Sequence, residues 1–401
     1  MTTLETDEII SPKHLSEWDS LLPGKTLILS IETTGLKPDN SELFMIGTLS
    51  FTVGNTKENE PDEVLSVKRK QWLIHALHEE RTAILEFLEM LRRERYDRII
   101  TFYGSTFDLR FPVECLREFG LYREAEQLEN YPNMELSKVL RPFRKALDLT
   151  DNRQQSFESI IGYRRNRQET SFQISDLYRT GRELYYVQKG IKGSFPEDVE
   201  EVIFEYNRDK LFGIFHMLPL LFYVKISEPG DNAPVLTHEI SEYQGFLEIR
   251  GESLYPVLLP LTYQEGSLRV DWNERQFVIR LSIYRGELKL FFRDYKNYYY
   301  LPLEDTAIHK KLGSLVDSAH RKPATKETCY QKKSGIFLPE NPSYHTDGDL
   351  PQYGPDHISY RESYDSVVSY RDYSEDFLYS EESLYDRNVW IGGLLLFALQ
   401  S

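Results

Sequence analysis

The segment Leu27–Leu36, with the sequence LILSIETTGL, decides the fold class of the first half of the chain. Its apolar run up to Ile31 is typical of a short buried strand, and the Thr-Thr-Gly that follows is typical of a turn. Residues i and i+2 of a strand point to the same face, so Ser30 and Glu32 are predicted to lie side by side where the strand ends. The segment therefore predicts a buried strand whose polar end lies at one edge of a sheet.

Strand and helix patterns alternate on both sides of this segment. Leu43–Val53 reads as a hairpin because glycines interrupt it, and Arg98–Phe102 reads as another buried strand. Helical patterns mark three segments: Arg81–Arg95, Pro112–Phe119 and Val199–Leu218. Alternating strands and helices predict an α/β domain over residues 24–224, a mixed sheet flanked by helices, preceded by an extension of residues 1–23.

The second half of the chain has a different pattern. Short strand candidates between turn residues predict a β-rich antiparallel module over residues 225–339, in which Thr306–Ser318 is predicted as an amphipathic helix. Residues 340–388 contain twelve acids and three bases among irregularly spaced tyrosines, which predicts a loosely ordered acidic arm or insertion. The apolar residues 389–401 are predicted to dock as a strand or helix. The strand candidates are Phe246–Arg250, Val257–Tyr263, Leu268–Asp271, Gln276–Tyr284 and Leu288–Phe292.

The composition of the 401 residues excludes several classes of protein. Hydrophobic residues at 40% and aromatic residues at 13% suffice for a packed core, so global disorder is excluded. Two cysteines cannot build a disulfide framework or a zinc site, which favours a reducing, cytoplasmic location. No secretory leader pattern is visible, and the longest apolar run is about half the ~20 residues that span a bilayer, so no membrane partner is expected.

Three short motifs carry the chemistry of the first half: Leu27–Leu36, YGSTFD at Tyr103–Asp108 and YNRDK at Tyr206–Lys210. In this order they resemble the ribonuclease H-like exonuclease superfamily with four acidic metal ligands, the DEDD type, and most closely its YprB-like branch of bacterial exonucleases. The resemblance covers roughly residues 24–224. It implies a ribonuclease H-like fold and 3′–5′ hydrolysis of a phosphodiester, with Mg²⁺ or Mn²⁺ ions held about 3.5–4 Å apart by carboxylates.

Two of the four acidic positions of the family are replaced in this chain. The family's first Asp corresponds to Ser30 and its last to Lys210, which leaves Glu32 and Asp108 as the remaining metal-ligand candidates. A hydroxyl is a poor Mg²⁺ ligand, and an ammonium repels a cation about 4 Å away by several kcal/mol at an effective dielectric constant of about 20. The main hypothesis is that Lys210 replaces the charge of the metal beside the two acids, so that hydrolysis is lost or weakened and no metal cofactor is needed.

Three alternatives stay open. Asp209 could supply the missing acid, which would give an active Mg²⁺- or Mn²⁺-dependent 3′–5′ exonuclease with Glu32 and Asp108. The Lys210 ammonium could extend along its aliphatic stem to solvent instead of pairing. The chain could also be a protein-interaction scaffold that has no nucleic-acid partner and uses its acidic arm to engage basic surfaces.

The resemblance implies further roles near these acids. Tyr206 would orient the attacking water, although a helix tyrosine is as often part of a core. The pocket for the terminal nucleotide would be shaped by Thr33, Thr34, Gly35, Leu36, Gly104 and Phe107. Gly35 could also serve only as a turn residue.

The distribution of charge bears on the expected partners, DNA or RNA with single strands or 3′ ends. The formal net charge of −16 argues against a basic nucleic-acid binder, but residues 340–388 account for −9 of it. A stretch between residues 138 and 167 has a net charge of +5, and it could follow a phosphate backbone beside Phe143 and Tyr163. Its bases are Lys138, Arg141, Arg144, Lys145, Arg153, Arg164, Arg165 and Arg167.

Overall fold

The structure is a computed structural model that describes residues 1–53, 64–187, 195–227, 235–266, 268–340, 359–366 and 368–400. The chain divides into two compact units, Met1–Lys225 and Ile226–Ser401. The N-terminal unit carries a mixed sheet flanked by helices, and the C-terminal unit consists mainly of antiparallel strands. The predicted fold class, an α/β domain followed by a β-rich module, is therefore confirmed.

A six-stranded sheet with the order β1-β4-β3-β2-β5-β6 organises the N-terminal unit. Its strands are β1 Thr2–Ile10, β2 Gly24–Thr33, β3 Leu43–Val53, β4 Leu65–Leu73, β5 Arg98–Thr101 and β6 Asn133–Glu135. The strands from β1 to β2 in this order pair antiparallel, whereas β2, β5 and β6 run parallel. The carboxyl ends of these three parallel strands therefore meet at one edge of the sheet.

Helices cover both faces of this sheet, so β2 is buried along most of its length. Leu27, Leu29 and Ile31 point to one face and pack in a core with Ile84 and Phe87. Alternate residues of the strand point to the opposite face, towards the helix Glu197–Met217, which is α8. The helices are α1 Trp18–Leu21, α2 Leu77–Glu94, α3 Arg110–Glu118, α4 Tyr122–Glu129, α5 Leu136–Val139, α6 Gln154–Ile160, α7 Ser171–Val187, α8 Glu197–Met217 and α9 Leu221–Ser227.

Two sequence-based expectations for this unit are wrong. Leu43–Val53 is not a hairpin but the single strand β3, in which Gly47 pairs in mid-strand with both neighbours. Residues 1–23 are not a mere extension, because β1 forms the edge of the sheet, in register from Thr2↔Leu73 to Ile10↔Leu65. β1 carries polar and charged side chains because only one of its faces is half-buried, so it lacks the apolar run that marks a buried strand.

The C-terminal unit contains three small antiparallel sheets with the orders β7-β8-β9, β10-β14-β15 and β12-β11-β13. Its strands are β7 Val235–Tyr243, β8 Phe246–Glu265, β9 Leu268–Ser282, β10 Tyr284–Phe291, β11 Tyr298–Leu301, β12 Thr306–His309, β13 Lys322–Pro323, β14 Tyr330–Pro339 and β15 Tyr370–Asp372. Its helices are α10 Lys310–Gly313, α11 Glu375–Tyr379 and α12 Leu384–Gln400. The apolar C-terminal segment forms most of α12, which packs on β7 and β8.

The details of this unit differ from the sequence prediction. Thr306–Ser318 is not one helix: Thr306–His309 pairs with β11, and only the short α10 follows. The strand candidates merge into fewer and longer strands, since two lie in β8 and two in β9. Residues 341–358 and 367 of the predicted acidic arm lie outside the described residues, but the later part of the arm contains β15 and α11, which are regular structure. No helix among the described residues is long and apolar enough to cross a membrane.

Candidate functional site

Glu32 lies buried at the carboxyl end of β2, and two side chains of α8 bind its carboxylate. The Lys210 ammonium lies 2.9 Å from Glu32 Oε1 and 3.1 Å from Oε2, and it also donates to the Ile31 carbonyl at 3.3 Å. Asn207, one turn earlier, donates through Nδ2 to Glu32 Oε1 at 3.1 Å. Burial opposes the charge of Lys210, but the charges of Glu32 and Asp108 outweigh it and raise the pKa of the ammonium. Lys210 is therefore a fixed cation, held on the carboxylate rather than extended to solvent.

Asp108 ends a single π-helical turn, Gly104–Asp108, that follows β5. Its carboxylate accepts hydrogen bonds from two backbone amides, from Ile31 at 3.3 Å and from Tyr103 at 3.1 Å. These bonds attach the turn to the end of β2. Burial raises the pKa of Asp108 to about 6, against the opposing effect of the Lys210 charge. The structure thus brings Glu32, Asp108 and Lys210 into one buried cluster.

A chain of amide side chains supports Glu32 from behind. Asn207 Nδ2 also donates to the Ser30 carbonyl at 3.3 Å, and its Oδ1 accepts from Gln71 Nε2 at 2.9 Å. Gln71 in turn accepts a hydrogen bond from Arg69, its neighbour on the same face of β4. The Asn207 amide is fully buried and uses both its donor and its acceptor, so it fixes the orientation of the Glu32 carboxylate.

Neither Asn207 nor Gln71 was among the residues singled out from the sequence. Their partners lie on strands far apart in the chain, so no local spacing predicts them. The one local signal is Gly47 in the middle of β3, where a Cβ would lie 1.7 Å from Asn207 Oδ1. A glycine inside a strand often marks a close approach by another group, and here that group is the Asn207 amide.

Tyr206 is buried on α8 beside the same cluster. Its hydroxyl lies 2.8 Å from Ser171 Oγ, and its ring lies 5.9 Å from Lys210 Nζ and 6.0 Å from the Arg165 guanidinium. Arg165 makes a bidentate ion pair with the buried Glu158, at 2.7 and 2.8 Å. Tyr206 thus packs between two cations, each of which already has a carboxylate partner.

Asp209 is also buried but faces a different part of the domain. Its carboxylate accepts from the Arg167 backbone amide at 2.7 Å and from Asn166 Nδ2 at 3.3 Å. Within the described ranges it shares no hydrogen bond with Glu32 or Asp108. Of the two neighbouring residues on α8, the structure therefore brings Lys210 and not Asp209 to the end of β2.

The residues predicted to shape a nucleotide pocket lie in two turns at the same edge of the sheet. In the first turn, Thr33 Oγ1 donates to the Gly35 carbonyl at 2.5 Å, and the Thr34 carbonyl accepts from Arg179 at 2.7 Å. Leu36 is 82% exposed, so this turn presents an apolar side chain to solvent. In the second turn, Gly104 is buried and Phe107 is half-buried.

The basic stretch divides into paired and unpaired cations. Arg165 forms an ion pair with Glu158, and Arg167 forms one with Glu169. The charges of these two arginines are therefore already compensated within the domain. Phe143 is buried, and the ring of Tyr163 stacks on His216, so the two aromatic residues predicted to line the stretch are packed against the protein. The exposed bases without an ion pair among the described residues are Arg141, Arg144, Lys145 and Arg164.

The residues of the cluster do not fit a two-metal site. Two carboxylates are present, one of them holds an ammonium, and the third position carries only the Ser30 hydroxyl. Over the described ranges, no group of three or more His, Cys, Asp or Glu side chains could hold a metal ion. Hard divalent ions need several oxygen ligands, and a cation held on one of those ligands repels a second cation.

The family-model match concerns the N-terminal unit. Residues 27–221 match the family model described as the RNase H superfamily, and the flanked mixed sheet of this unit is an RNase H-like fold. No curated protein matches the chain. A family B DNA polymerase from the hyperthermophilic archaeon Pyrobaculum calidifontis is similar at 13% identity and a TM-score of 0.37, over 94% of this chain and 46% of the polymerase chain. The chain thus spans less than half the length of that polymerase.

Proposed function

We propose that the N-terminal unit is a nucleic-acid-binding domain of the exonuclease type, of the YprB-like branch, whose two-metal hydrolysis is lost or severely weakened. One observation carries the proposal: the Lys210 ammonium lies 2.9 Å from Glu32 Oε1 inside the domain. In this proposal the cluster is a disarmed catalytic site in which a fixed positive charge stands where an active relative would need metal ions.

Electrostatics support this assignment. A divalent ion could bind Glu32 only after the ammonium left the carboxylate, because charges of like sign about 4 Å apart repel by several kcal/mol even at an effective dielectric constant of 20. Moving Lys210 away would also break its bond to the Ile31 carbonyl and leave a buried cation without partners. Glu32, Asp108 and Lys210 comprise two acids and one base, so the cluster is closer to charge balance without metal than four acids would be.

The position of the cluster supports a ligand site. It lies at the carboxyl ends of parallel strands, where open α/β sheets bind their ligands. The exposed bases of the 138–167 stretch follow β6 at the same edge, which supports a polyanionic ligand such as DNA or RNA. Binding of single strands or 3′ ends by a site that does not cleave them is the function proposed here.

A nuclease assay tests the loss of hydrolysis. Single-stranded DNA and RNA with free 3′ ends are incubated with the native chain and with the variant Ser30→Asp/Lys210→Asp, in Mg²⁺ and in Mn²⁺. The native chain is expected to leave both substrates intact, and the double variant to gain hydrolysis that a further Glu32→Ala substitution removes. Ser30→Asn/Lys210→Gln is the matched control, since it changes the same positions without adding acids.

Two results would point to the alternatives. Hydrolysis by the native chain that disappears in Glu32→Ala and also in Asp209→Asn would support an active exonuclease that uses Glu32, Asp108 and Asp209. Absence of binding to DNA and RNA at low salt would leave a protein-interaction scaffold, for which the acidic residues 340–388 are the candidate contact.

A further inference from the structure

The segment of residues 138–153 is tied at both ends to the turn that holds Asp108. At its start, Lys138 Nζ donates to Ser105 Oγ at 2.6 Å. At its end, the carbonyl of Asn152 accepts from the Tyr103 hydroxyl at 2.9 Å. The chain between these two points therefore leaves the turn Tyr103–Asp108 and returns to it.

Three cations of this segment lie outside the described ion pairs. A hydrogen bond from Ser156 and, more weakly, the charge of Arg144 lower the pKa of Asp151, so Arg144 lies near that carboxyl. Arg141, Arg144 and Lys145 are exposed and form no ion pair with any described residue, whereas Lys138 and Arg153 each have an acidic partner. The backbone that carries them is held by buried apolar side chains of the same segment, namely Phe143, Leu147 and Leu149. The positive charges are thus presented from a fixed surface rather than from a mobile tail.

Tyr103 adds an aromatic side chain where this segment ends, since its hydroxyl donates to the Asn152 carbonyl. Tyr103 as a residue is 37% exposed, although its hydroxyl donates to the Asn152 carbonyl and its ring makes a T-shaped contact with that of Phe102 at a centroid distance of 4.6 Å. Its backbone amide donates to Asp108 at 3.1 Å, so Tyr103 belongs to the turn that holds that acid of the cluster. A ring fixed on two sides loses little conformational freedom when a base stacks on it, and stacking is independent of base identity.

We propose that Tyr103, Arg141, Arg144 and Lys145 form a binding path for single-stranded nucleic acid, which rests on the proposed function of the Glu32 cluster. The Tyr103 ring stacks on a base beside the turn that holds Asp108, and the three cations contact the phosphates of the strand next to that base. The path favours a single strand over a duplex, because an unpaired base can turn its face to the ring. A partly exposed aromatic residue at the end of a segment that carries exposed cations also favours a nucleic acid over an acidic peptide.

The test uses the full chain and measures binding of short fluorescent oligonucleotides, single-stranded and duplex, by anisotropy at several salt concentrations. The variant Arg141→Ala/Arg144→Ala/Lys145→Ala is expected to weaken single-strand binding at least about tenfold and to reduce the salt slope by about 2, since each phosphate contact adds about 0.7 for single strands. The matched control is Lys13→Ala/Arg81→Ala/Arg123→Ala, which removes one exposed Lys and two exposed Arg elsewhere in the unit and is expected to change affinity less than about twofold.

A second pair of variants isolates the ring. Tyr103→Leu is expected to weaken binding by about five- to hundredfold without changing the salt slope, whereas Tyr103→Phe, which keeps the ring, stays within about twofold of the native chain. Unfolding curves of each variant establish that the fold is retained.

The outcomes separate this path from the function of the site. No binding by the native chain at low salt would overturn both proposals. Binding that the two triple variants weaken equally would overturn the path alone, as would equal affinity of Tyr103→Leu and the native chain. Tighter binding of duplex than of single strands, or of polyglutamate than of either, would assign the surface to another ligand.

Discussion

Asp209 and Lys210 are neighbours on α8, yet they serve two different regions of the domain. Lys210 reaches the end of β2 and pairs with Glu32, whereas Asp209 accepts hydrogen bonds from neutral donors of Asn166 and Arg167. One step along a helix turns a side chain by about 100°, so the identity of a single residue decides the charge that faces Glu32. The difference shows that the charge facing Glu32 depends on one position of α8, while the neighbouring position faces other partners.

The largest expected effect comes from removing the cation from the Glu32 region. Lys210→Met leaves a buried carboxylate unpaired, so we expect the free energy of unfolding to fall by about 3–5 kcal/mol in urea titrations. The double variant Glu32→Gln/Lys210→Met removes both charges and should recover most of this loss. If the single and double variants are equally destabilised, the ion pair is not what holds this region together.

The ionisation of Asp108 gives a pH-dependent difference between native chain and variant. Its pKa is about 6 in the folded protein against an ordinary value of 3.8, so the folded state binds the proton more tightly than the unfolded state. This contribution to stability is present below about pH 4 and is lost as the pH rises to about 6. The unfolding free energy of Asp108→Asn relative to the native chain should therefore rise by at most about 3 kcal/mol between pH 4 and 7. A difference that stays constant over this range would contradict the burial argument.

The support behind Glu32 can be tested through Gly47. Gly47→Ala places a Cβ where the Asn207 amide lies, so we expect a loss of about 1–3 kcal/mol in the free energy of unfolding. In an Asn207→Ala background the same substitution should have a much smaller effect, because the clashing group is absent. An unchanged effect in that background would mean that Gly47 is required for another reason.

The smallest effect is expected in the Asp209 region. Asp209→Asn keeps one acceptor for the Arg167 amide but loses the charge, so we expect a destabilisation of about 1 kcal/mol. Combined with Glu32→Gln, its effect should be additive within about 0.5 kcal/mol, because the two carboxylates share no partner in the described structure. A larger coupling energy would join the two regions into one site and favour the Asp209 alternative.

The strand that decides the fold could be predicted from the sequence because it is buried on both faces. The apolar run of β2 and the apolar periodicity of α2 and α8 both reflect which residues of each element are buried. Both patterns can therefore be recognised in the amino-acid sequence. The edge strand β1 lacks that signal, since only one of its faces is half-buried and the other is exposed. The segment Thr306–His309 has helical periodicity, but pairing with β11 overrides it.

The acids and the cation of the site could be named from three motifs, but their supports could not. Gln71 and Asn207 are polar residues on two distant elements, and only the fold brings them into contact. Gly47 is visible in the sequence, but a glycine within a strand pattern also predicts a break between two strands, so the pattern does not reveal the close approach of Asn207. The choice between Asp209 and Lys210 also required side-chain directions, because both lie close to the same face of the helix.

Calorimetric titration of Mn²⁺ measures whether a metal ion binds at Glu32 or whether the Lys210 ammonium takes its place. The heat reports metal binding whether or not cleavage follows. The native chain is expected to give no saturable heat that depends on Glu32, and Ser30→Asp/Lys210→Asp is expected to bind Mn²⁺ and lose that binding on Glu32→Ala. Tight Mn²⁺ binding by the native chain that Glu32→Ala abolishes would contradict the proposed loss of the metal site, since a metal would then occupy the place assigned to the Lys210 ammonium.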